Sequence, residues 1–428
     1  MFSPQAIARA RTIRAELTDR LQDPATRGVA WDSLAQHTSA PHPHGQSSPS
    51  LAEGCAGIAI ALATEGKDAG AVHQLMREAI QGLQYLAGED LSLYQGVGGL
   101  LAAIDLVGCG SPGYRTAQRT LTEIMCAHVD AACDIADELA ATGHGMDPSV
   151  YDLVSGLAGW TAVLSLTRDP AAEQGVRRLQ ETLMRLVRRT EGVFPLYTGP
   201  VFMPEEARMR APAGHVDCGV AHGVSGITGL LAVVAPAHGR PSSDLRDVLA
   251  DVAAWLTDLI APGPGGPLPP ARLGLRGERA LPTRPEDVPA AWCYGVAGMA
   301  RAVWLAGRTI GDRRFMDSAV QALRDCHLPS RHRLQEPTLC HGVAGLLLIM
   351  WLVARESGDP DLQRGAASLL DQLLDHYDTS SLLGFRTMSV GRVVDDPGFL
   401  TGTAGIVALL NALLSDRPPA WGRLLAVC

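Results

Sequence analysis

The residues best suited to chemistry stand beside short glycine motifs. Cys340-His341-Gly342-Val343-Ala344-Gly345 precedes an apolar run, Leu346 to Val353, and Trp292-Cys293-Tyr294-Gly295-Val296-Ala297-Gly298 opens another. Aligned on their glycines, Cys293 and Cys340 coincide, each two places before the first Gly. A third copy, Ala221-His222-Gly223-Val224-Ser225-Gly226, sets His222 in register with His341. Two thiols and an imidazole suit zinc, which binds sulfur at about 2.3 Å and nitrogen at about 2.0–2.1 Å. Three protein ligands leave a fourth position open, as in catalytic rather than structural sites. An isolated Cys-His pair carries no such weight, and Cys326-His327, outside the register on an expected outer helix, is one.

His222 is the candidate general acid/base, because an unperturbed imidazole titrates near about pH 6.5. A fourth metal ligand, or a histidine satisfied by backbone, is its plainer reading. Asp152, in Tyr151-Asp152-Leu153-Val154-Ser155-Gly156, lies four residues before a further such glycine. It could orient or charge-pair His222 as the acid of a triad orients its base; alone, it would read as a helix cap or salt bridge. Cys218 lies close before His222 and could reach the site. Cys55, Cys109, Cys126, Cys133 and Cys428 lack metal spacing and read as packing thiols or loose termini.

These motifs belong to a repeat. Gly-x-x-Gly followed by an apolar run occurs seven times, beginning at Gly54, Gly96, Gly156, Gly223, Gly295, Gly342 and Gly402. The connectors vary in length while the unit does not. Each run is rich in Ala and Leu and apolar on nearly all sides, which predicts a buried helix. Between the runs lie helices of 3.6-residue periodicity, as in Val72, Leu75, Met76, Ala79, Ile80, Leu83 and Leu86. Similar segments cover about 4–22, 115–135, 243–260 and 313–326. Seven buried helices alternating with seven amphipathic ones predict two concentric layers, an all-α, α/α toroid of seven helical hairpins. Residues 1–428 are expected to form one domain, with the repeat core over about 50–415. Small insertions are expected near 192–218 and 262–289, the second a loop rich in proline. Pro24 to Ser50 reads as an irregular surface loop, and Leu382 to Val394 as short strands or a lid.

Composition narrows the function. A formal charge of -9 argues against a nucleic-acid partner. No apolar run is long enough to span a bilayer, and the first residues lack a signal-peptide core. Nine cysteines, an odd number, read as reduced thiols of a cytoplasmic protein.

The seven Gly-x-x-Gly units, Trp292-Cys293-Tyr294-Gly295, Cys340-His341-Gly342 and Ala221-His222-Gly223 together resemble the lanthionine synthetase C-like family, and within it the stand-alone cyclases of class I lantibiotic (lanthipeptide) synthesis. The resemblance implies one Zn2+ per chain on Cys293, Cys340 and His341. It implies His222 as acid/base residue, with Asp152 as its acidic neighbour. The substrate would be a dehydrated precursor peptide, whose cysteine thiols add to dehydroalanine or dehydrobutyrine to give thioether rings. A lanthipeptide dehydratase and an export transporter are candidate partners. In relatives a basic residue is expected shortly before the Trp-Cys motif. Here that ground is Val288-Pro289-Ala290-Ala291, with Arg284 the nearest arginine on that side, so an enolate would need its cation from elsewhere.

Three other functions compete. Another thiol, such as glutathione, could be the nucleophile at the same site. A non-catalytic peptide-binding scaffold would show a fourth protein ligand on a structural zinc. A prenyltransferase, also an α/α toroid, would need a diphosphate-binding Arg/Lys/Tyr cluster, and none is in register.

Overall fold

The computed structural model describes residues 1–36, 49–63, 69–85, 90–108, 112–235, 241–260, 269–277, 279–281, 290–324, 326–389 and 391–428. Its inner layer is the seven expected helices, Cys55–Ala63, Val97–Val107, Leu157–Leu164, Val224–Val233, Val296–Ile310, Val343–Ser357 and Thr403–Ser415. Every one begins on the residue after the first glycine of its motif. That glycine is the N-cap, usually in extended backbone, as at Gly96 with φ -102 and ψ -161. In the fifth motif Gly295 takes φ +105, which a side chain would strain.

The second glycine answers a different demand. A Cβ on Gly405 would lie 2.0 Å from the carbonyl oxygen of Phe399, and one on Gly226 2.0 Å from that of Val220. The same backbone approach recurs at all seven motifs. It packs the strand-like entrance segment onto the first turn of its own helix.

Those entrance segments are joined in a circle. The residue two places before the first glycine offers its carbonyl to the segment of the preceding repeat. Tyr94 O accepts from Leu51 N–H (3.0 Å), Val154 O from Leu93 N–H (3.1 Å) and Ala221 O from Leu153 N–H (3.2 Å). Cys293 O accepts from Val220 N–H (2.9 Å), Cys340 O from Cys293 N–H (3.1 Å) and Leu400 O from Cys340 N–H (2.9 Å). Ala52 O accepts from Phe399 N–H at 2.7 Å and closes the ring. Inside the layer, two buried polar groups are paired between neighbouring helices, which offsets the cost of their burial. Asn411 donates to Ala61 O between the seventh and first inner helices (3.0 Å). Arg301, 1% exposed, makes two 2.8 Å bonds to Glu356 between the fifth and sixth.

The outer layer is Ala69–Gly82, Arg115–Thr142, Pro170–Val187, Ser243–Ile260, Arg313–Leu323 and Pro360–Asp375, each following its inner helix. Pro170–Val187 shows why such segments form. Asp169 caps it by accepting Ala171 N–H, Pro170 opens its first turn, and Leu179, Leu183 and Leu186 face inward. The seventh outer place is taken by the first helix of the chain, Pro4–Gln22, which packs on Thr403–Ser415. Residues 420–428 pack against the entrance segments and the inner helices. There Tyr94 Oη donates to Leu424 O (2.7 Å), Trp292 Nε1 to Leu425 O (2.8 Å) and Arg301 Nε to Val427 O (2.8 Å).

Several connectors depart from expectation. Residues 24–35 form a helix, not a loop: Asp23 caps it and Pro24 sits at its first position, where proline starts a helix instead of breaking one. Residues 37–48 lie outside the described residues. The helix read over 115–135 continues to Thr142, and the one read to 326 stops at Leu323, leaving Cys326 and His327 in a turn. The proline-rich stretch is more than a loop. Its strands β2 (Arg272–Gly274) and β3 (Arg279–Leu281) join β1 (His215–Asp217) from the 192–218 insertion in an antiparallel sheet of order β1-β2-β3. A hairpin of β4 (Arg386–Ser389) and β5 (Arg392–Asp395) fills the 382–394 connector. Among the described residues no helix is long and apolar enough to cross a membrane.

The glycine argument sets opposite signs for two substitutions. Gly405→Ala should lower the unfolding free energy by ~1–3 kcal/mol through overpacking. Gly175→Ala, in an outer helix with nothing nearer than 3.5 Å, should raise it by ~0.5–1 kcal/mol. Urea denaturation of both variants measures this, and equal effects would refute the close-approach account.

Candidate functional site

The residue at each motif's -1 position, just before the first glycine, projects at the end of the ring. In chain order these are Glu53, Gln95, Ser155, His222, Tyr294, His341 and Thr401, all polar and all half-buried. The ring of peptide hydrogen bonds fixes their backbone, so the repeat register becomes a circle of side chains. On one arc, Cys293, Cys340 and His341 come together: their donor atoms lie within 4.8 Å of one another. Among the described residues they are the one His/Cys/Asp/Glu group so arranged. The donor set of two sulfurs and one imidazole nitrogen fits zinc.

The two thiols do not ionise alike. Cys293 is held below the ordinary thiol value, first by accepting the Cys340 S–H and further by the nearby His341 ring. Cys340, which donates that bond and is buried against Cys293, is pushed well up. His341 is pushed up by its contact with Glu336, whose carboxylate is 3.3 Å from Nε2. Cys218 does not join them. It is fully buried with its thiol toward Val216 O, and burial raises its pKa well above the ordinary value. Cys55 and Cys133 are buried packing thiols, and Cys428 folds back onto Pro419 O instead of hanging loose. Cys109 lies outside the described residues.

His222 and Asp152 meet on the adjoining arc. Asp152, 2% exposed, places Oδ2 2.5 Å from His222 Nδ1. Its Oδ1 accepts the N–H groups of Ser155 (2.6 Å) and Gly156 (3.0 Å), so the carboxylate is fixed by the third motif's own turn. The pairing of Asp152 with His222 therefore holds, while its second oxygen ties the turn before the third inner helix and not the helix itself, whose N-cap Gly156 has no side-chain bond. Burial pulls the His222 pKa down, but the hydrogen bond and charge of Asp152, helped by Asp217, more than reverse this, and the net shift is upward.

Four residues that the motifs did not single out complete the arrangement. Tyr294 presents its ring 6.3 Å from that of His222 and donates its hydroxyl to Asp217 (3.0 Å). Arg272 reaches Asp217 Oδ2 through Nε at 3.2 Å and lies over the Tyr294 ring at 5.7 Å. It is a cation on the same arc, whereas the ground just before Trp292 holds Ala290 and Ala291, both buried; Arg284 lies outside the described residues. Arg272 arrives across the pairing of β2 with β1, which no local motif announces. Asp217 and Glu336 did have a signal, for each lies six places before the first glycine of its repeat.

None of the curated proteins matches this sequence significantly. A solved structure described as nisin cyclase superposes with TM-score 0.72 at 18% sequence identity, covering 97% of each chain, a likeness of fold. The lanthionine synthetase C-like protein family matches residues 45–426, a span that takes in all seven motifs. This chain therefore belongs to the lanthionine synthetase C-like family.

Proposed function

We propose that this protein is a zinc-dependent lanthipeptide cyclase, adding cysteine thiols of a dehydrated precursor peptide to its dehydroalanine or dehydrobutyrine residues. The observation that carries the reading is the convergence of Cys293, Cys340 and His341 beside the Asp152–His222 pair at one end of the ring. The three residues would hold zinc, which when bound supplies Lewis acidity that favours a thiolate near neutral pH. Neither Cys218 nor His222 joins the donors, which favours an open position over a closed structural site.

The remaining steps belong to the chain. Asp152 holds His222 through Nδ1, leaving Nε2 to take the thiol proton. A sulfur–carbon bond forms at the β-carbon, the carbon–carbon double bond opens, and charge gathers on the carbonyl oxygen. Arg272, held beside His222 by Asp217 and the Tyr294 oxygen, is the donor suited to that charge. His222 returns the proton to the α-carbon, so nothing is lost from the peptide. The half-buried polar arc of Thr401, Glu53, Gln95 and Ser155 offers the peptide a surface opposite the reacting residues.

Three measurements test this. Zinc analysis and edge absorption should give one zinc per chain with two sulfurs and one protein nitrogen, lost in Cys340→Ala; four protein ligands would sink the cyclase. Against a dehydrated peptide bearing a free cysteine, His222 must be neutral to accept a proton. Its raised pKa therefore sets the rate climbing with pH through a value above the ordinary one. Asp152→Asn should move that limb to lower pH and reduce kcat, whereas an unmoved limb would separate Asp152 from the base. Arg272→Ala should lower kcat by about 10²-fold with zinc content unchanged, and full activity would remove it from the site.

A further inference from the structure

Four repeats carry an acid six places before their first glycine: Asp90, Asp217, Glu336 and Asp396. Its carbonyl receives the first helical N–H, at 2.8 Å for Asp90 with Val97, Glu336 with Val343 and Asp396 with Thr403. The three aspartates also turn their carboxylates onto their own loops. Asp90 accepts Ser92 N–H (2.9 Å), Asp217 Gly219 N–H (2.9 Å) and Asp396 Gly398 N–H (2.7 Å).

Glu336 breaks this pattern. One extra methylene carries its carboxylate past the loop to His341 Nε2, 3.3 Å away. There it also accepts the hydroxyl of Thr387 and the N–H of Met388 (3.3 Å), both on β4. It is not a member of the donor group formed by Cys293, Cys340 and His341. The carboxylate is thus anchored from two sides, by its own repeat and by the β4–β5 hairpin.

We propose that Glu336 is the positioning residue for His341, accepting its Nε2–H and so leaving Nδ1 as the nitrogen available to a metal held with Cys293 and Cys340. The inference rests on the metal reading of those three residues. A neutral imidazole has one N–H and one lone pair, and a carboxylate at Nε2 decides which nitrogen carries which. Outer partners of this kind orient the ring and raise its basicity, and losing one weakens metal binding by about 10–100-fold. The hairpin gains a purpose from this: Thr387 and Met388 hold the residue that holds the ligand.

The test is zinc affinity of the full chain, by competition with a chromophoric chelator, beside the melting temperature of each metal-free protein. Glu336→Asp should let the shorter carboxylate fall back onto its own loop, and Glu336→Ala removes it. Both should weaken zinc about 10–100-fold, and Thr387→Val less, with metal-free melting temperatures matching the parent. Unchanged affinity in Glu336→Asp and Glu336→Ala overturns the inference alone. Loss of affinity that tracks a lower metal-free melting temperature also overturns it, because Glu336 would then serve the fold. A parent protein that takes up no zinc overturns the metal reading itself, and this inference with it.

Discussion

The circle of peptide hydrogen bonds between neighbouring entrance segments is the constraint on which everything else depends. Each segment gives an N–H to one neighbour and receives one from the other, so no repeat can shift without straining two. At the fifth and sixth repeats these partners are the cysteines themselves: Cys293 N–H is bonded to Cys340 O, and Cys340 N–H to Leu400 O. With both backbones pinned, only side-chain torsions remain to be set. Sites held on fixed backbone need little reorganisation when a ligand arrives. The second glycines serve the same end, since any Cβ there would push the segment off its helix.

Buried acidic side chains support several of the entrance segments. Asp152, Asp217 and Asp396 are almost wholly buried, and each is stabilised by N–H groups of its own turn. Asp396 has its pKa pushed up by burial to about 6. From these anchors the functional contacts extend outward, to His222 from Asp152 and to Tyr294 and Arg272 from Asp217. The turn that caps a helix thus also aims a reactive group, and one buried carboxylate serves both purposes.

The repeat architecture and the cluster of Cys293, Cys340 and His341 were legible because they follow a register that needs no knowledge of space. Cys293, Cys340, His222 and His341 fall at fixed offsets from glycines, and apolar runs after those glycines can only be buried helices. The acids at the sixth position obey an equally simple register and were open to the same method. Arg272 was not. It reaches the site because two insertions pair as strands across 55 residues of chain, with β2 laid on β1. Pro24 misled for a local reason, since proline starts a helix as readily as it ends one. That Pro4–Gln22 supplies the seventh outer helix follows only from closure in space.

That closure bears on how the protein comes to be made. Six hairpins pair helices that are neighbours along the chain, and these contacts can form as each one emerges from the ribosome. The seventh unites Pro4–Gln22 with Thr403–Ser415, two helices far apart in the sequence. Until Thr403–Ser415 has emerged, the nascent chain is an open arc with an uncovered apolar edge at each end. Long-range closure of this kind is slow and leaves intermediates prone to aggregation. The same geometry that gives the finished ring no edges makes its growing form depend on protection until the seventh inner helix is in place.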